Sequence, residues 1–322
     1  MKSRGIIPRL PRDAWILLGG DAVSAFGNGL VIPFLILYFH EVRDIRLEVA
    51  ALAISMVGLM GFVGSPLSGM LVDRIGSRRA LIVSLSINTL ATIAVIFVRE
   101  PWHAFVAAGL LGLGQYSFWP AGQSLLSTAV APEQRSAVFS VHFAMLNGGI
   151  GVGGVLGGLL ANVNSATSFE LLYLVDSLTF MAYIAVLIPL KRLGLRVEKD
   201  EDSGPRPRYF EVLKDRVFVR VWLFMAFTAT IGWGQLHASF PAFASGPGGV
   251  GTNVIGFAFG ANTLVIVITQ LFVLKKLTGW KRTSALQLMC VVTGVSYGFV
   301  LLSAGLAGWA AALGFIVALG VL

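Results

Sequence analysis

The chain has 322 residues, of which 56% are hydrophobic and only 12% are charged, and its net charge is +8. Soluble chains average roughly 25% charged residues, so a soluble fold of this length would lack the polar surface it needs. Its Gly, Pro and Cys contents (38, 12 and 1 residues) exclude collagen, a disordered chain and a disulfide scaffold. The remaining class is an all-α polytopic membrane protein.

Apolar segments long enough to cross a bilayer follow one another along the chain. A hydrocarbon core about 30 Å thick needs about 20 apolar residues per helix, because every backbone amide must be bonded internally. The sequence predicts ten spans, at 15–39, 49–72, 80–98, 105–128, 138–162, 170–190, 219–243, 253–274, 284–303 and from 308 onward.

The basic residues predict the orientation of these spans, because Lys and Arg concentrate in cytoplasmic loops. With the N-terminus inside, only Arg43, Arg46 and Arg99 fall in outside loops, and the other 21 of the 24 basic residues fall inside. The asymmetry predicts a multi-pass protein of the cell (inner) membrane with a cytoplasmic N-terminus. It also accounts for the positive charge without a nucleic-acid partner.

One long polar stretch divides the chain. Residues 199–208 read KDEDSGPRPR, with both signs of charge and two prolines, which is typical of a linker. The predicted organisation is a six-helix bundle over 1–190, a cytoplasmic linker over 191–218, and a second bundle over 219–322 with about four helices. Because the last apolar segment is too short to cross a bilayer, we expect the second bundle to be incomplete.

Ionisable side chains inside spans are candidate functional groups, since they cost of order 2.5–3.5 kcal/mol to insert. Asp21 lies about two turns into the first span, Asp176 about two turns into the sixth, and His237 in the outer half of the seventh. A desolvated carboxylate or a histidine can bind and release a proton, but each could equally bond a neighbouring helix. His142 lies near the inner interface, and Glu170, at the outer boundary, is expected to be solvated.

Polar and aromatic residues at depth are candidates for lining a central cavity, with Gln115 and Trp119 of the fourth span foremost. They could equally hold helices together. Few fixed charges beside many aromatic rings favour an amphipathic, cationic cargo. The full set is Asn28, Gln115, Tyr116, Trp119, Asn147, Trp233 and Gln235.

The loop between the second and third spans combines glycines with fixed charges. Gly69 permits close helix approach, and Gly76 suits a turn with positive φ. Asp73 could accept hydrogen bonds from Arg74 or Arg78, or face a helix N-terminus. An ordinary basic loop is the alternative. The positions concerned are Gly69, Asp73, Arg74, Gly76, Arg78 and Arg79.

A run of glycines marks the fifth span. Small residues four apart are what close packing between membrane helices requires, so the run could serve packing alone. The glycines at these spacings are Gly149, Gly153, Gly154, Gly157 and Gly158.

Both motifs resemble signatures of the major facilitator superfamily. The loop 69–79 matches G-x-L-x-D-R-x-G-R-R/K except at Ser77, with a weaker copy around Gly279. The glycine run resembles the antiporter signature G-x-x-x-G-P-x-x-G-G, with Gly154 in place of the proline. The resemblance, closest to bacterial drug:proton antiporters, implies two six-helix bundles, the second truncated after about helix 10.

The resemblance also implies a mechanism of alternating access around a midplane site. Asp73, Arg74 and Arg78 would form a latch on the cytoplasmic side. The family's aspartate is thought to face the eleventh helix, which these residues do not include. We therefore expect residues 1–322 alone to transport poorly or not at all.

The expected function is proton-coupled export of small amphipathic or drug-like molecules. The alternatives are proton-coupled uptake of a metabolite, or a non-transporting membrane sensor or scaffold on the same fold. We expect no enzyme activity, no metal and no cofactor, with the proton gradient as energy source. The expected partners are a small-molecule substrate and the lipid bilayer, and the expected oligomeric state is a monomer.

Overall fold

The computed structural model describes residues 10–195, 214–229, 239–247, 249–277, 280 and 282–304, and within these ranges it contains helices and no strand. The helices are α1 (Arg12–Val31), α2 (Leu47–Ile75), α3 (Ser77–Ile96), α4 (Pro101–Thr128), α5 (Arg135–Leu160), α6 (Ala166–Leu187), α7 (Arg216–Ala229), α8 (Phe240–Ser245), α9 (Thr252–Leu277) and α10 (Arg282–Ala304).

Seven stretches of the described chain are long and apolar enough to cross a membrane, and they coincide with seven of the ten predicted spans. The fourth predicted span is a 28-residue helix, α4, but it does not belong to that apolar set. The seventh is described as the 14-residue α7 and the 6-residue α8. The tenth lies outside the described residues. The expectation of a multi-pass helical membrane protein is confirmed.

The first span changes its helical geometry near its end. Pro33 has no backbone N–H to continue the α-helical ladder, and a 3-10 turn covers Ile32–Phe34. A short α-helical turn, Leu35–Leu37, and a π-helical turn, Tyr38–Val42, follow. These turns place Tyr38 and Arg43 at the end of the bundle.

Helix packing defines the bundle and its two ends. Helix α1 packs on α5 and α6, α4 packs on α2 and α3, and α3 also packs on α6. Helix α9 packs on α5, and α8 packs on the turn Leu35–Leu37. The end that carries Gly76 is called the Gly76 end below, and the opposite end, where α6 begins, is called the Glu170 end.

Two apolar clusters fill the bundle, and polar side chains lie between them. The cluster at the Gly76 end includes Leu17 of α1 and Phe180 of α6, and the cluster at the Glu170 end includes Leu30 and Phe169 of the same helices. The buried polar side chains between the clusters form what is called the polar layer: Asp21, Ser24, Asn88, Thr92, His142, Asp176, Ser177 and Thr179.

Candidate functional site

Two helices that are distant in sequence bring a carboxylate and an imidazole together inside the bundle. The Nδ1 atom of His142 on α5 lies 3.0 Å from Oδ2 of Asp21 on α1. Both side chains are about 95% buried. Asp21 Oδ1 and His142 Nε2 have no hydrogen-bond partner among the described residues. The two side chains therefore share one contact, and each has one further polar atom without a partner among the described residues.

Asp21, a candidate predicted from the sequence, is thus paired with His142, which was predicted to lie near the inner membrane interface. His142 lies in the second turn of α5, which starts at Arg135, so its distance from the helix end gave no sign of burial. It is 4% exposed. His142 is therefore buried against α1, with Trp119 of α4 beside it, and its depth in the membrane stays a prediction.

Aromatic rings surround the imidazole. The ring centroids of Trp119, Phe139 and Phe143 lie 6.3, 6.4 and 5.3 Å from that of His142, all in edge-to-face arrangements. The imidazole is therefore packed among three aromatic rings and also contacts the carboxylate of Asp21. Trp119 of α4 is half-buried, so its ring packs beside His142 while part of the side chain remains exposed.

The second predicted carboxylate, Asp176, stands alone. It is 1% exposed, and neither Oδ1 nor Oδ2 has a hydrogen-bond partner among the described residues. The Thr179 hydroxyl donates instead to the backbone oxygen of Asp176, at 2.7 Å. On the opposite face lies Gly27 of α1, where a Cβ atom would clash with Asp176 Oδ1. Helices α1 and α6 therefore approach so closely here that no side chain fits in place of Gly27.

Charged side chains meet at the Glu170 end, where Glu170 is 27% exposed and also ion-paired, so it is only partly solvated. The Arg43 guanidinium lies 2.6 Å from Glu170 Oε1, and Arg99 lies 3.4 Å from the same oxygen. Arg43 also donates to the Tyr38 hydroxyl, at 2.9 Å through Nε, and to the Ile96 carbonyl, at 3.1 Å. The network joins the ends of α3 and α6 to the segment that follows α1.

The glycine-containing loop at the Gly76 end has the predicted turn but a different role for one arginine. Gly76 has φ 86°, which confirms the need for glycine between α2 and α3. Arg78 donates to the carbonyls of Leu187 and Ile188, both at 2.7 Å, and thereby caps the end of α6. Asp73 and Arg74 are exposed, as is Arg79. The latch function of this motif stays a prediction.

Gly69 departs from its prediction, because no described residue lies within 4 Å of a Cβ atom built on it. Close approach of α2 to α4 occurs at Gly64, where a Cβ atom would lie 2.9 Å from the Leu113 carbonyl oxygen. Sequence alone did not separate the two glycines, because both lie in the same apolar helix.

The glycine run of α5 packs against two different helices. Gly149, Gly153 and Gly157 contact α1, the last of them near Leu30. Gly154 and Gly158 contact α9, where a Cβ atom on Gly158 would lie 2.7 Å from Gly256 Cα. The expected packing role is present, and it joins the first bundle to the second half of the chain. The antiporter association stays a prediction.

The remaining predicted residues fall in less informative places. Gln115 is half-buried on α4, one turn from Trp119. His237 lies outside the described residues, as do Trp233 and Gln235.

Comparison with known proteins agrees with this architecture. Residues 17–322 match the family model of the Major Facilitator Superfamily, so the chain belongs to that family of membrane transporters. The structure is also similar to the crystal structure of the nucleoside transporter NupG, with a TM-score of 0.73 at 10% identity, covering 97% of this chain and 78% of that one. At that identity the likeness concerns the fold alone.

Several curated bacterial relatives are similar in sequence. The MFS-type transporter YqjV of Bacillus subtilis is 26% identical over 301 residues, which cover 91% of this chain and 71% of YqjV. The multidrug resistance protein MdtG of Enterobacter lignolyticus is 31% identical over 220 residues, 63% of this chain and 51% of MdtG. A Na(+), Li(+), K(+)/H(+) antiporter of Planococcus maritimus is 30% identical over 184 residues, 56% of this chain and 41% of the antiporter.

Proposed function

We propose that this transporter exports small amphipathic or drug-like molecules in exchange for protons. The observation that carries the proposal is the buried contact between Asp21 and His142. Ionisable groups inside a membrane protein are costly and mark proton or substrate pathways. An imidazole can bind and release a proton, so a buried carboxylate–imidazole pair is a candidate group for proton coupling.

The position of the pair supports coupling to alternating access. His142 lies in the half of α5 nearest the Gly76 end, and the glycines that contact α9 lie in the other half of the same helix. Asp21 lies on α1, which contacts α5 along its glycine face. A change in the charge of the pair would therefore act on the helix that joins the two halves of the transporter.

The relatives support export and proton coupling by their described activities. One of them is a multidrug resistance protein, and another exchanges monovalent cations for protons. The aromatic rings of Trp119, Phe139 and Phe143 beside the pair suit a lipophilic cation, which would compete with the proton for the same acidic region.

The orientation belongs to the same proposal, with the Gly76 end in the cytoplasm. The Glu170 end would then face outward, and the contacts there support an arrangement closed on the outer side. They include the approach of Gly158 to Gly256 and a hydrogen bond of 2.9 Å from the Thr252 hydroxyl to the Ala161 carbonyl.

Efflux of ethidium from cells that express the protein from its full reading frame tests the proposal. We expect efflux that a protonophore abolishes and that Asp21→Asn and His142→Gln reduce about 100-fold, because a positioned proton-transfer group contributes at least that much. Asp13→Asn, on the same helix, and His103→Gln, at the opposite end, are the matched controls and should retain efflux.

Three outcomes would contradict the proposal. Proton-driven accumulation inside the cell would indicate uptake, and binding of a protein partner without any transport would indicate a sensor or scaffold. Full efflux by well-expressed Asp21→Asn and His142→Gln variants would remove the pair from the mechanism.

A further inference from the structure

We propose that Asp176 is a second proton-binding site, separate from the Asp21–His142 pair and supplied from the Glu170 end past Tyr38 and Tyr173. The inference rests on the proposed function for its role in transport, but not for the binding of the proton itself.

The surroundings of Asp176 contain no described cation that could balance a negative charge. On its own helix the nearest titratable group is Tyr173, whose hydroxyl also has no hydrogen-bond partner among the described residues. Helix α1 faces it with Gly27, and the buried acid of α1, Asp21, is already paired with His142. The segment after α1 contributes Tyr38, which contacts Tyr173.

Helix α3 also packs on α6, and its titratable residues are Arg78 and Arg79, both at the Gly76 end. The Arg78 guanidinium is bonded to the carbonyls that end α6, more than two turns from Asp176. An ionised carboxylate that is buried without a partner carries a large desolvation cost, and a bound proton removes the charge without changing the packing.

The close approach of Gly27 favours a proton over a metal ion. A cation such as Na⁺ needs several oxygen ligands around it, and here even a Cβ atom on Gly27 would clash with Asp176 Oδ1 and Thr179 Oγ1. A proton needs no such space. The residues that would have to move apart to admit a metal ion belong to the tightly packed faces of α1 and α6.

A series of hydroxyl and charged groups leads from the surface to this site. Glu170 is 27% exposed and is paired with Arg43, which donates to the Tyr38 hydroxyl. The Tyr38 and Tyr173 ring centroids are 5.2 Å apart, and Tyr173 lies about one helical turn from Asp176 on α6. Residues 173 and 176 are three apart, so they share one face of α6.

The two proton sites would then be arranged in sequence along α6. Asp176 is seven residues from Tyr183, about 10 Å along the helix axis. Tyr183 is buried, and its ring lies against Gly20, the residue before Asp21 of the first site. Asp176 would take its proton from the Glu170 end, whereas the Asp21–His142 pair lies nearer the Gly76 end.

Infrared difference spectroscopy of the full protein in lipid vesicles tests the inference without any substrate. Between acidic and alkaline buffer we expect a C=O band of a protonated buried carboxyl that is lost in Asp176→Asn and retained in Asp21→Asn. Tyr173→Phe, which removes one hydroxyl and keeps the ring, should retain the band but slow its hydrogen–deuterium exchange about tenfold or more. Tyr297→Phe, on α10, which does not pack on α6, is the matched control and should exchange at the normal rate.

The outcomes separate this inference from the proposed function. Persistence of the band in Asp176→Asn, a band that responds to Na⁺ rather than to pH, or unchanged exchange in Tyr173→Phe would overturn it. If Asp176→Asn does not fold, the exchange rate in Tyr173→Phe still decides. An Asp176 band in a protein whose Asp21→Asn variant exports normally would support this site and contradict the proposed role of the pair.

Discussion

Asp21 and Asp176 are two aspartates of the same buried polar layer, 5% and 1% exposed, yet their surroundings are opposite. Asp21 lies 3.0 Å from an imidazole that three aromatic rings surround. Asp176 faces a glycine of α1 and has no partner for either oxygen among the described residues. The first carboxylate is paired with another ionisable side chain, and the second is not, in the part of the chain that the structure describes.

The comparison teaches that burial alone does not define the role of an intramembrane carboxylate. The partner does, because a buried charge is tolerated when it is paired and is costly when it is not. Substitutions that alter the partner and leave the burial unchanged therefore separate the two sites.

The largest effect on stability is expected at the Asp21–His142 pair. His142→Leu leaves the Asp21 carboxylate buried without its partner, which should lower the free energy of unfolding in lipid bicelles by about 3–5 kcal/mol. Asp21→Asn replaces the carboxylate by an amide that can still contact His142, so it should cost less, about 1–2 kcal/mol. The double variant should lose clearly less than the sum of the two single variants, because they alter the same contact. Additive losses in this cycle would show that the two side chains do not interact.

The next effect concerns the contact between α1 and Asp176. Gly27→Ala should lower the free energy of unfolding by about 1–3 kcal/mol, because its Cβ atom would overlap Asp176 and Thr179. Gly19 lies on the same helix, and no described atom of another element lies within 4 Å of a Cβ atom built on it. Gly19→Ala should therefore be neutral or stabilising. Equal effects of the two substitutions would mean that α1 and α6 are not in close contact at Asp176.

A smaller effect is expected at the network of the Glu170 end. Glu170→Gln should lower the free energy of unfolding by about 1–2 kcal/mol, because Arg43 is mostly buried and loses its carboxylate. Glu48→Gln is the matched control, since the Arg46–Glu48 pair is 3.5 Å long and 82% and 72% exposed. A loss at Glu48 equal to that at Glu170 would contradict the account of the network.

The smallest effect is expected from Asp176→Asn. Replacing a neutral acid by an amide of the same shape should change the free energy of unfolding by less than about 1 kcal/mol, since no partner loses a bond. The contrast with Asp21→Asn, measured under the same conditions, is the sharpest form of the comparison. A loss of about 3 kcal/mol or more would mean that Asp176 is ionised and has a charged partner.

Much of the fold could be predicted, because the bilayer limits the possible structures to apolar helices. The turn at Gly76 followed from the conformational freedom of glycine, and its φ of 86° agrees. Helix α4 was predicted as a span, yet it is not among the stretches apolar enough to cross a membrane, because polar side chains such as Gln115 interrupt it.

The site was harder to predict, because its contacts join helices that are distant in the chain. Asp21 and His142 are 121 residues apart, and only the packing of α1 on α5 brings them together. Glu170 was expected to be solvated because it lies at the outer boundary of its span. The turns after Pro33, which place Arg43 beside Glu170, leave no mark in a hydropathy pattern. Asp21 and His142 were both visible in the sequence as ionisable side chains inside spans, but their pairing was not.

The most direct test of the central claim is proton release when ethidium binds to the purified full-length protein in weakly buffered detergent solution. The account predicts that the unmodified protein and the Asp176→Asn variant release a proton on binding, and that Asp21→Asn releases none although it is folded. Equal release from the Asp21→Asn variant and the unmodified protein would contradict the assignment of exchangeable charge to the Asp21–His142 pair.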